Sequence, residues 1–304
     1  MTTVSRRQLL TGAATASLLG SWAAVEAVDP VQRTGKPRIK ASIAAYSYRQ
    51  RLTGRAEPRM TLPDFVRLAA EMGWDGVELT SYYFPDPVPE GYFAELKRLC
   101  FVLGLQVSAT SMATVFTHPA GPARDAEIRR TQTLLHYAAQ LGAPVLRVFA
   151  GAPQPGQSVE EAARCCIECL EICAETASRF GVMLALENHG GIVADAAGVL
   201  KIIKAVRSAW CGVNLDTGNF KTDDPYRDIE MCAPFAVTTH LKTEVQPAGG
   251  SAVPADIPRI VRILASVGYR GFLTLEHEAA EPVDQAAPRV LRLIREATAS
   301  LSPG

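Results

Sequence analysis

Four short segments in the second half of the sequence each end on a side chain that can bind a metal ion. Each segment is a mostly apolar run, and the closing residues are Glu187, Asp216, His240 and Glu276. Apolar runs of this kind are buried, and a buried carboxylate is costly unless it is paired or binds a cation. One strand-end acid alone often caps the next helix. Three carboxylates and a neutral imidazole together suit one divalent ion, such as Mn²⁺, Co²⁺, Zn²⁺ or Mg²⁺.

The elements that must position these side chains alternate between short β-rich runs and longer helical patterns. The predicted strands are Ile39–Tyr46, Gly76–Thr80, Gln106–Thr110, Val145–Phe149, Met183–Glu187, Gly212–Asp216, Ala236–Leu241 and Gly271–Glu276. The predicted helices include Leu62–Met72, Gly91–Leu103, Arg124–Leu141, Val159–Phe180, Ala196–Val206, Ile257–Val267 and Pro288–Leu301. Strands that alternate with helices indicate parallel βαβ units.

Eight such units over about 260 residues fit a single closed (β/α)8 TIM barrel. The alternative is a doubly wound open sheet, but no Gly-rich phosphate loop follows the first predicted strand. In a barrel the active site lies at the carboxyl ends of the strands, where the four candidate ligands stand. The predicted barrel domain covers residues 39–304, and residues 28–38 are predicted to be a flexible lead-in.

The first 27 residues are predicted to be an export signal. Ser5-Arg6-Arg7-Gln8-Leu9 contains paired arginines, and a mildly apolar stretch rich in small residues follows it through Ala24. This pattern is typical of a twin-arginine signal peptide, which predicts a periplasmic or otherwise exported protein. The alternative is a single membrane anchor, which usually needs a longer and more apolar run.

Composition narrows the range of partners. Hydrophobic residues make up 48% of the chain, enough for a large core, and the formal net charge is zero. Nucleic-acid and acidic-membrane partners would favour a basic face, so we expect neither. We expect a small-molecule substrate, and the chain could form a homo-oligomer.

Four of the seven cysteines fall in one predicted helix, at Cys165, Cys166, Cys169 and Cys173. They could hold a metal or an iron–sulfur cluster. No histidine or loop cysteine completes a ligand set, and their spacing follows one helix face, which favours simple packing.

The segments around the four candidate ligands resemble those of the sugar phosphate isomerase/epimerase superfamily, whose barrels are xylose isomerase-like. The resemblance covers residues 39–300 and is sharpest at Leu186-Glu187-Asn188-His189-Gly190, Leu215-Asp216-Thr217-Gly218-Asn219, His240-Leu241-Lys242 and Leu275-Glu276. It implies a xylose isomerase-like TIM barrel, the type also called AP endonuclease family 2, with a metal held by Glu187, Asp216, His240 and Glu276.

The resemblance also implies a reaction. A metal that binds two neighbouring oxygens of a hydroxyketone acidifies the C–H bond between them by stabilising an enediolate. In similar epimerases the first and last of the four ligands move the proton, so Glu187 and Glu276 are predicted to be catalytic. Isomerisation, epimerisation and β-elimination all pass through this intermediate.

Two positions depart from the ketose 3-epimerase pattern. Similar epimerases have a histidine three residues after the strand 6 aspartate, where this chain has Asn219, and an arginine where it has Gln246. Lys242 follows His240 by two residues, as in members that resemble inosose dehydratase. Asn219 and Lys242 are both predicted to bind substrate, and Lys242 could orient or protonate an oxygen.

Further candidates for substrate binding are Glu78, Arg147, His189 and Tyr46. Glu78 could contact substrate or a metal-bound water, and His189 could contact substrate hydroxyls. Arg147 could face an anionic group or a carboxylate that supports the metal ligands, and the alternative is a salt bridge within the barrel. Tyr46 and Tyr48 could form an apolar wall for a sugar ring.

These observations favour a periplasmic, divalent-metal-dependent isomerase or epimerase in carbohydrate metabolism. Two alternatives stay open: a metal-dependent lyase that acts on a keto-sugar, a 3-keto-glycoside or an inosose, and a sugar-binding barrel without catalysis.

Overall fold

A computed structural model describes residues 28–301 of the chain. Eight parallel strands close into a barrel in the order β1-β10-β7-β6-β5-β4-β3-β2. The barrel strands are β1 (Arg38–Ala44), β2 (Gly76–Glu78), β3 (Gln106–Ser111), β4 (Val145–Phe149), β5 (Met183–Glu187), β6 (Cys211–Asp216), β7 (Ala236–Leu241) and β10 (Arg270–Leu275). A two-stranded hairpin, β8 (Glu244–Val245) and β9 (Val253–Pro254), follows β7. The predicted (β/α)8 barrel is confirmed.

Helices surround the barrel strands. They are α1 (Arg49–Leu52), α2 (Leu62–Met72), α3 (Tyr92–Val102), α4 (Pro122–Leu141), α5 (Val159–Phe180), α6 (Ala196–Ile203), α7 (Pro225–Cys232), α8 (Ile257–Ser266) and α9 (Val283–Ala299). Capping boxes start two of them: the Thr61 and Ser158 hydroxyls accept backbone N–H groups three residues later, and acidic side chains bond back. These contacts satisfy N–H groups that a first helical turn leaves unpaired.

Two helices differ from the prediction. Helix α7 was not predicted because its sequence is mostly polar, yet Asp224 caps it and Pro225 occupies its first turn. Helix α9 begins at Val283, five residues before the predicted start at Pro288. Pro288 lies inside the helix, which continues through it with Ala286, Ala287 and Val290 buried. Burial of this face outweighs the lost backbone hydrogen bond.

Alternation along the strands divides the barrel into two environments. Apolar side chains such as Leu146, Leu186 and Val213 belong to a core cluster that also contains buried residues of the helices. The neighbouring positions are polar and buried, among them Arg147, Glu187 and Asn214. The strands therefore bury their apolar face against helices and carry a polar lining on the other face.

The lead-in to the barrel makes defined contacts. The buried Val28 donates its backbone N–H to Val206, and the backbone N–H of Val31 donates to Pro234. Its predicted flexibility stays a prediction. The predicted signal peptide, residues 1–27, lies outside the described residues. Within residues 28–301, no helix combines the length and apolar character needed to cross a membrane.

The cysteine-rich helix packs against the rest of the barrel. Cys166, Cys169 and Cys173 are buried in the core cluster, and Cys165 is partly exposed. All seven cysteines are free thiols. Burial raises the pKa of Cys169 to about 12 and that of Cys211, which lies on β6, to about 12 as well. The structure supports the packing interpretation of α5.

Candidate metal centre

The four predicted ligands converge at the carboxyl end of the barrel. Glu187 and Asp216 are the last residues of β5 and β6, His240 is the last but one of β7, and Glu276 follows β10. One oxygen or nitrogen from each lies within 4.8 Å of the others, and all four residues are buried. Because they come from adjacent strands of a closed barrel, their convergence follows from the fold.

His240 stands at the middle of this cluster. Its Nδ1 lies 3.3 Å from Glu187 Oε2, 3.6 Å from Glu276 Oε2 and 3.9 Å from Asp216 Oδ2. Ligands about 2.1 Å from one ion stand about 3 to 3.5 Å apart when they are neighbours and about 4.2 Å apart when they lie on opposite sides of an octahedron. The spacing of the four donor atoms therefore fits a single divalent ion.

The far side of the imidazole is held by Glu78, the last residue of β2. His240 Nε2 is 2.8 Å from Glu78 Oε2, and both side chains are fully buried. In this contact Glu78 accepts the Nε2 proton. Without an ion, Glu78 and Glu276 outweigh burial and raise the pKa of His240 well above its usual value, so Nδ1 carries a proton too, and a metal ion at the cluster would replace that proton. Ligand histidines in metalloproteins are commonly oriented by a carboxylate in this way. Glu78 Oε2 contacts the imidazole, whereas its buried Oε1 accepts no hydrogen bond from the described residues, so the predicted contact with substrate or a metal-bound water stays a prediction.

Asp216 carries the clearest sign of a missing partner. Its Oδ1 accepts the backbone N–H of Gly218 at 2.8 Å, whereas its buried Oδ2 accepts no hydrogen bond from the described residues. Burial raises the pKa of Asp216 to about 6, and Glu187 and Glu276 add to the rise while Lys242 opposes it. A buried oxygen of this kind is destabilising unless a cation or a donor meets it.

The charges of the centre also fit a divalent ion. Its buried carboxylates are Glu78, Glu187, Asp216 and Glu276. Two fixed cations, Arg147 and Lys242, offset half of this negative charge. With His240 neutral, a divalent ion would offset the rest, which is how proteins make buried charge tolerable.

The two fixed cations bind opposite sides of the cluster. Arg147 Nε is 3.0 Å from Glu187 Oε2, and a second guanidinium nitrogen is 4.0 Å from Glu276 Oε1. Lys242 donates from Nζ to Glu276 Oε2 and Glu278 Oε2 and lies 3.5 Å from Asp216 Oδ2. Arg147 thus forms salt bridges within the barrel, and its partners are two of the predicted metal ligands themselves.

For both Glu187 and Glu276, burial raises the pKa and the charged contacts lower it. Burial would raise the pKa of Glu187, but Arg147 and the hydrogen bonds of His189 and His240 hold it well below its usual value. For Glu276, His240 and Lys242 outweigh burial, so its pKa is also lowered. Both glutamates are therefore carboxylates at neutral pH.

His189 and Asn219 lie beside the cluster on the β5 side. His189 Nδ1 is 2.9 Å from Glu187 Oε1, and Asn219 Nδ2 donates to the same oxygen at 3.2 Å. The imidazole of His189 stacks on Phe149, with ring centroids 3.9 Å apart. Both residues, predicted from the sequence to bind substrate, stand at the mouth and contact a ligand residue.

The two tyrosines predicted to line the site lie in different surroundings, and only Tyr46 is near the cluster. Tyr46 packs edge-to-face on Tyr82 at 6.3 Å, and the Tyr82 hydroxyl accepts a hydrogen bond from Arg147 at 3.3 Å. Tyr48 is a correction: it is buried against Phe65 on the helix side of the barrel. The chain turns through a 3-10 helix after β1, which sends the two side chains apart.

Several residues of the centre were not predicted from the sequence. Asn214 donates to Glu187 Oε2 at 2.7 Å, and Asn188 exchanges two hydrogen bonds with the backbone of Asp216. Phe149, Tyr82 and Glu278 were also missed. One signal was present for Asn214, a polar residue in an apolar strand two positions before Asp216 and hence on the same face.

A cavity of about 190 Å³ adjoins the cluster. It is formed by the loop after β6, the β8–β9 hairpin and the segment after β10. Its polar lining includes Asn219, Lys221, Lys242, Glu244, Gln246 and Glu278. At Gly218 an added Cβ would come within 2.5 Å of the Lys242 side chain, so this glycine permits the lysine stem to pass. The cavity offers mixed charges and hydrogen-bonding groups beside the candidate metal centre.

Comparisons with known proteins agree with this architecture. The profile described as "Xylose isomerase-like TIM barrel" matches residues 66–297. No curated protein matches the chain. Among solved structures, D-psicose 3-epimerase from Clostridium cellulolyticum H10, crystallised with D-tagatose, has a TM-score of 0.70 at 16% identity over 85% of this chain and 99% of its own.

Two further structures are similar to the same extent. The IOLI protein with a bound zinc atom has a TM-score of 0.70 at 15% identity, over 86% of this chain and 98% of its own. The 3-keto-D-glucoside 4-epimerase YcjR from E. coli has a TM-score of 0.67 at 16% identity, over 85% and 100%. At this level of identity the likeness establishes the fold.

Proposed function

The chain belongs to the xylose isomerase-like TIM barrel family, and we propose that it is an enzyme that isomerises or epimerises a carbohydrate with one divalent metal ion. The observation that carries the proposal is the cluster of Glu187, Asp216, His240 and Glu276, in which Asp216 Oδ2 accepts no hydrogen bond from the described residues. Structurally similar proteins include two sugar epimerases and a protein with a bound zinc atom, which supports the same interpretation.

When bound, a divalent ion would polarise a carbonyl and a neighbouring hydroxyl, and so acidify the C–H bond between them. The protein must then move that proton. Glu276 suits this work, because Lys242 binds its Oε2 while its Oε1 accepts no hydrogen bond from residues 28–301. Glu187 is the predicted partner on the opposite side of the cluster.

The surroundings favour a neutral sugar. Glu244 and Glu278 line the cavity beside the cluster together with Lys221 and Lys242, so positive charge there is already offset. A phosphate group would meet these carboxylates and gain little from the lysines. The predicted export of the protein agrees with an unphosphorylated substrate.

Lyase activity is a second candidate, supported by Lys242. Its buried ammonium donates to both Glu276 and Glu278, where it could protonate an oxygen that leaves during β-elimination. The residues Asn219 and Gln246, which depart from the ketose 3-epimerase pattern, favour the same alternative.

A metal analysis combined with a proton-exchange assay tests the proposal. The protein is loaded with Mn²⁺, Co²⁺ or Zn²⁺ and incubated in D₂O with D-psicose, D-tagatose and a 3-keto-glucoside. We expect deuterium to enter a sugar without loss of water or aglycone. Release of a dehydrated product or an aglycone indicates a lyase instead. A bound ion without exchange on any of these sugars contradicts an enzymatic role and favours a sugar-binding barrel.

A further inference from the structure

The end of the barrel opposite the candidate metal centre carries exposed apolar side chains. Strands begin and helices end there, and we call it the amino-terminal face. Helix α3 ends on this face in an apolar tip of three consecutive residues, Phe101, Val102 and Leu103, which are 82%, 58% and 39% exposed. Phe180, the last residue of α5, is also exposed there. Single exposed apolar residues are common, but a contiguous run of them indicates a contact surface.

A groove adjoins the apolar tip. It has a volume of about 760 Å³ and lies between the last turns of α3 and α4 and the starts of β3 and β10. Its apolar lining includes Cys100, Phe101, Leu105, Leu141 and Phe272. Lys97 and Arg98 line its α3 side, and the Lys97 stem crosses Gly142 so closely that an added Cβ would lie 3.1 Å from Lys97 Cε. The groove therefore combines an apolar lining with two cations.

Four more cations extend the positive charge across the amino-terminal face. They lie at or just before the starts of β1 and β10, at Lys36, Arg38, Lys40 and Arg270. Arg38 and Arg270 are partners in the β1–β10 register. Lys40 Nζ lies 4.4 Å from the centre of the Phe272 ring and donates a hydrogen bond to Gln106, and both of these residues line the groove. Together with Lys97 and Arg98, the four form one basic patch around the groove.

Neighbouring acids do not neutralise the basic patch. Among residues 28–301, no carboxylate oxygen lies within 4.0 Å of a charged nitrogen of its six members. Asp75, just before β2, uses one carboxylate oxygen to accept the backbone N–H of Ala41. Burial and the neighbouring Arg38 lower the pKa of Lys40, and Asp75 opposes them only in part. The patch therefore keeps positive charge available to an anionic partner.

We propose that the amino-terminal face binds the surface of an anionic lipid bilayer, with the apolar tip among the headgroups and the basic patch against lipid phosphates. A bilayer matches both parts of this surface, because negative headgroups overlie an apolar interior. A nucleic-acid duplex would match the charge and leave the apolar tip uncovered. A second copy of the same face would bring two basic patches together, and like charges repel.

The proposal does not depend on the proposed function, and it changes one expectation from the sequence. An acidic-membrane partner was not expected, because the formal net charge of the chain is zero. A net charge of zero is compatible with a basic face when the acids lie elsewhere, and the fold places six cations without close carboxylates around one groove. The local distribution of charge, rather than its sum, therefore decides which surfaces the protein can bind.

The course of the chain agrees with this orientation. Val28 donates its backbone N–H to Val206, which follows α6, and the backbone N–H of Val31 donates to Pro234, which precedes β7. Both acceptors lie at the amino-terminal face, so the described chain enters the barrel there. An export signal in residues 1–27, as predicted, would join the barrel on the side proposed to face the bilayer. The candidate metal centre would then open away from the bilayer.

Co-sedimentation of the full chain with lipid vesicles tests the proposal. One set of vesicles is phosphatidylcholine, and the other contains equal parts of phosphatidylcholine and phosphatidylglycerol. We expect the anionic vesicles to bind at least about 100-fold more tightly, since several cations each contribute about fivefold. High salt should remove most of this difference through screening. Equal affinity for both kinds of vesicle, or no binding to either, overturns the proposal.

Matched charge variants locate the binding face. K97A/R98A should weaken binding to the anionic vesicles at least about tenfold. R55A/R59A removes two exposed cations from the segment between α1 and α2, at the opposite end of the barrel, and should bind like the wild type. All of these proteins carry residues 1–27, so any binding by that segment is the same in each. No loss in K97A/R98A, or an equal loss in both variants, contradicts the proposal.

Matched apolar variants test the tip. F101S should bind the anionic vesicles about tenfold more weakly, because an inserted phenylalanine ring is lost. V159S is the control, since Val159 is 50% exposed at the start of α5, at the opposite end of the barrel. Wild-type affinity in F101S would show that the tip does not enter the bilayer. A dimer in analytical ultracentrifugation that F101S dissociates, without vesicle binding, would show that a second copy covers the tip and would overturn the proposal.

Discussion

The mouth of the barrel and helix α5 both gather side chains of types that bind metals, but they arrange them differently. At the mouth, four separate strands each contribute one donor, and the donors meet within 4.8 Å. On α5, Cys166, Cys169 and Cys173 follow one another along a single helix face and pack into the apolar core. Elements that converge can surround an ion, whereas a stripe along one helix presents its side chains side by side.

The two regions also differ in what burial does to them. At the mouth it acts on charged groups, raises the pKa of Asp216 and leaves Oδ2 without a donor from the described residues. On α5 burial keeps the thiols protonated, because it raises the pKa of Cys169 to about 12. A protonated thiol is a small apolar side chain and a poor ligand. Whether a cluster can bind a metal ion therefore depends less on residue type than on whether folding leaves a ligand atom without a partner.

Removal of a donor at the mouth should have the largest effect. We expect D216A to weaken Zn²⁺ or Mn²⁺ affinity at least about 100-fold, since loss even of residues that only orient ligands costs 10- to 100-fold. Competition with a chelator measures the affinity. Metal-free D216A should be at least as stable as the metal-free wild type, because the substitution removes a buried charge.

The matched control for D216A is a substitution on helix α5. E175Q removes an exposed carboxylate from α5 and should bind metal like the wild type. If D216A retained wild-type affinity, the cluster would not be the metal site and the comparison would fail.

Loss of the partner behind His240 should have a smaller effect. Glu78 accepts the Nε2 proton of this histidine at 2.8 Å, so E78A should lower metal affinity about 10- to 100-fold. E78Q keeps an acceptor oxygen and should lie between E78A and the wild type in the same competition titration. Equal affinities in all three proteins would show that Glu78 does not orient the ligand.

Sequence reasoning found the ligands but missed most of their supports, for a physical reason. A donor at the end of an apolar run is a local feature, and barrel closure brings such ends together. The supporting contacts depend on register between distant strands, as with Glu78 and His240, which are 162 positions apart. Helix α7 was missed because it is short and mostly polar: Asp224 caps its start, and its buried residues are only Pro225, Ile229 and Cys232.

In helix α5, substitution of a buried cysteine should change stability and leave metal binding intact. Cys173 is fully buried, so C173A leaves a small void and should lower the free energy of unfolding by about 1 to 2 kcal/mol. Denaturant unfolding of the metal-free protein measures this change. Metal content of C173A below that of the wild type would mean that α5 contributes a ligand after all.

The smallest effect is expected at the partly exposed Cys165. Its sulfur lies 3.5 Å from Gln157 Nε2, and the residue stands at the edge of the buried cysteine stripe. C165S should therefore change the free energy of unfolding by no more than about 0.5 kcal/mol. A thiol reagent should label about one cysteine in the native wild type and none in native C165S, because the other six thiols are buried. Rapid labelling of several thiols in the native state would mean that α5 opens readily. Its cysteines would then not be held in the core, and the difference drawn between α5 and the mouth of the barrel would be wrong.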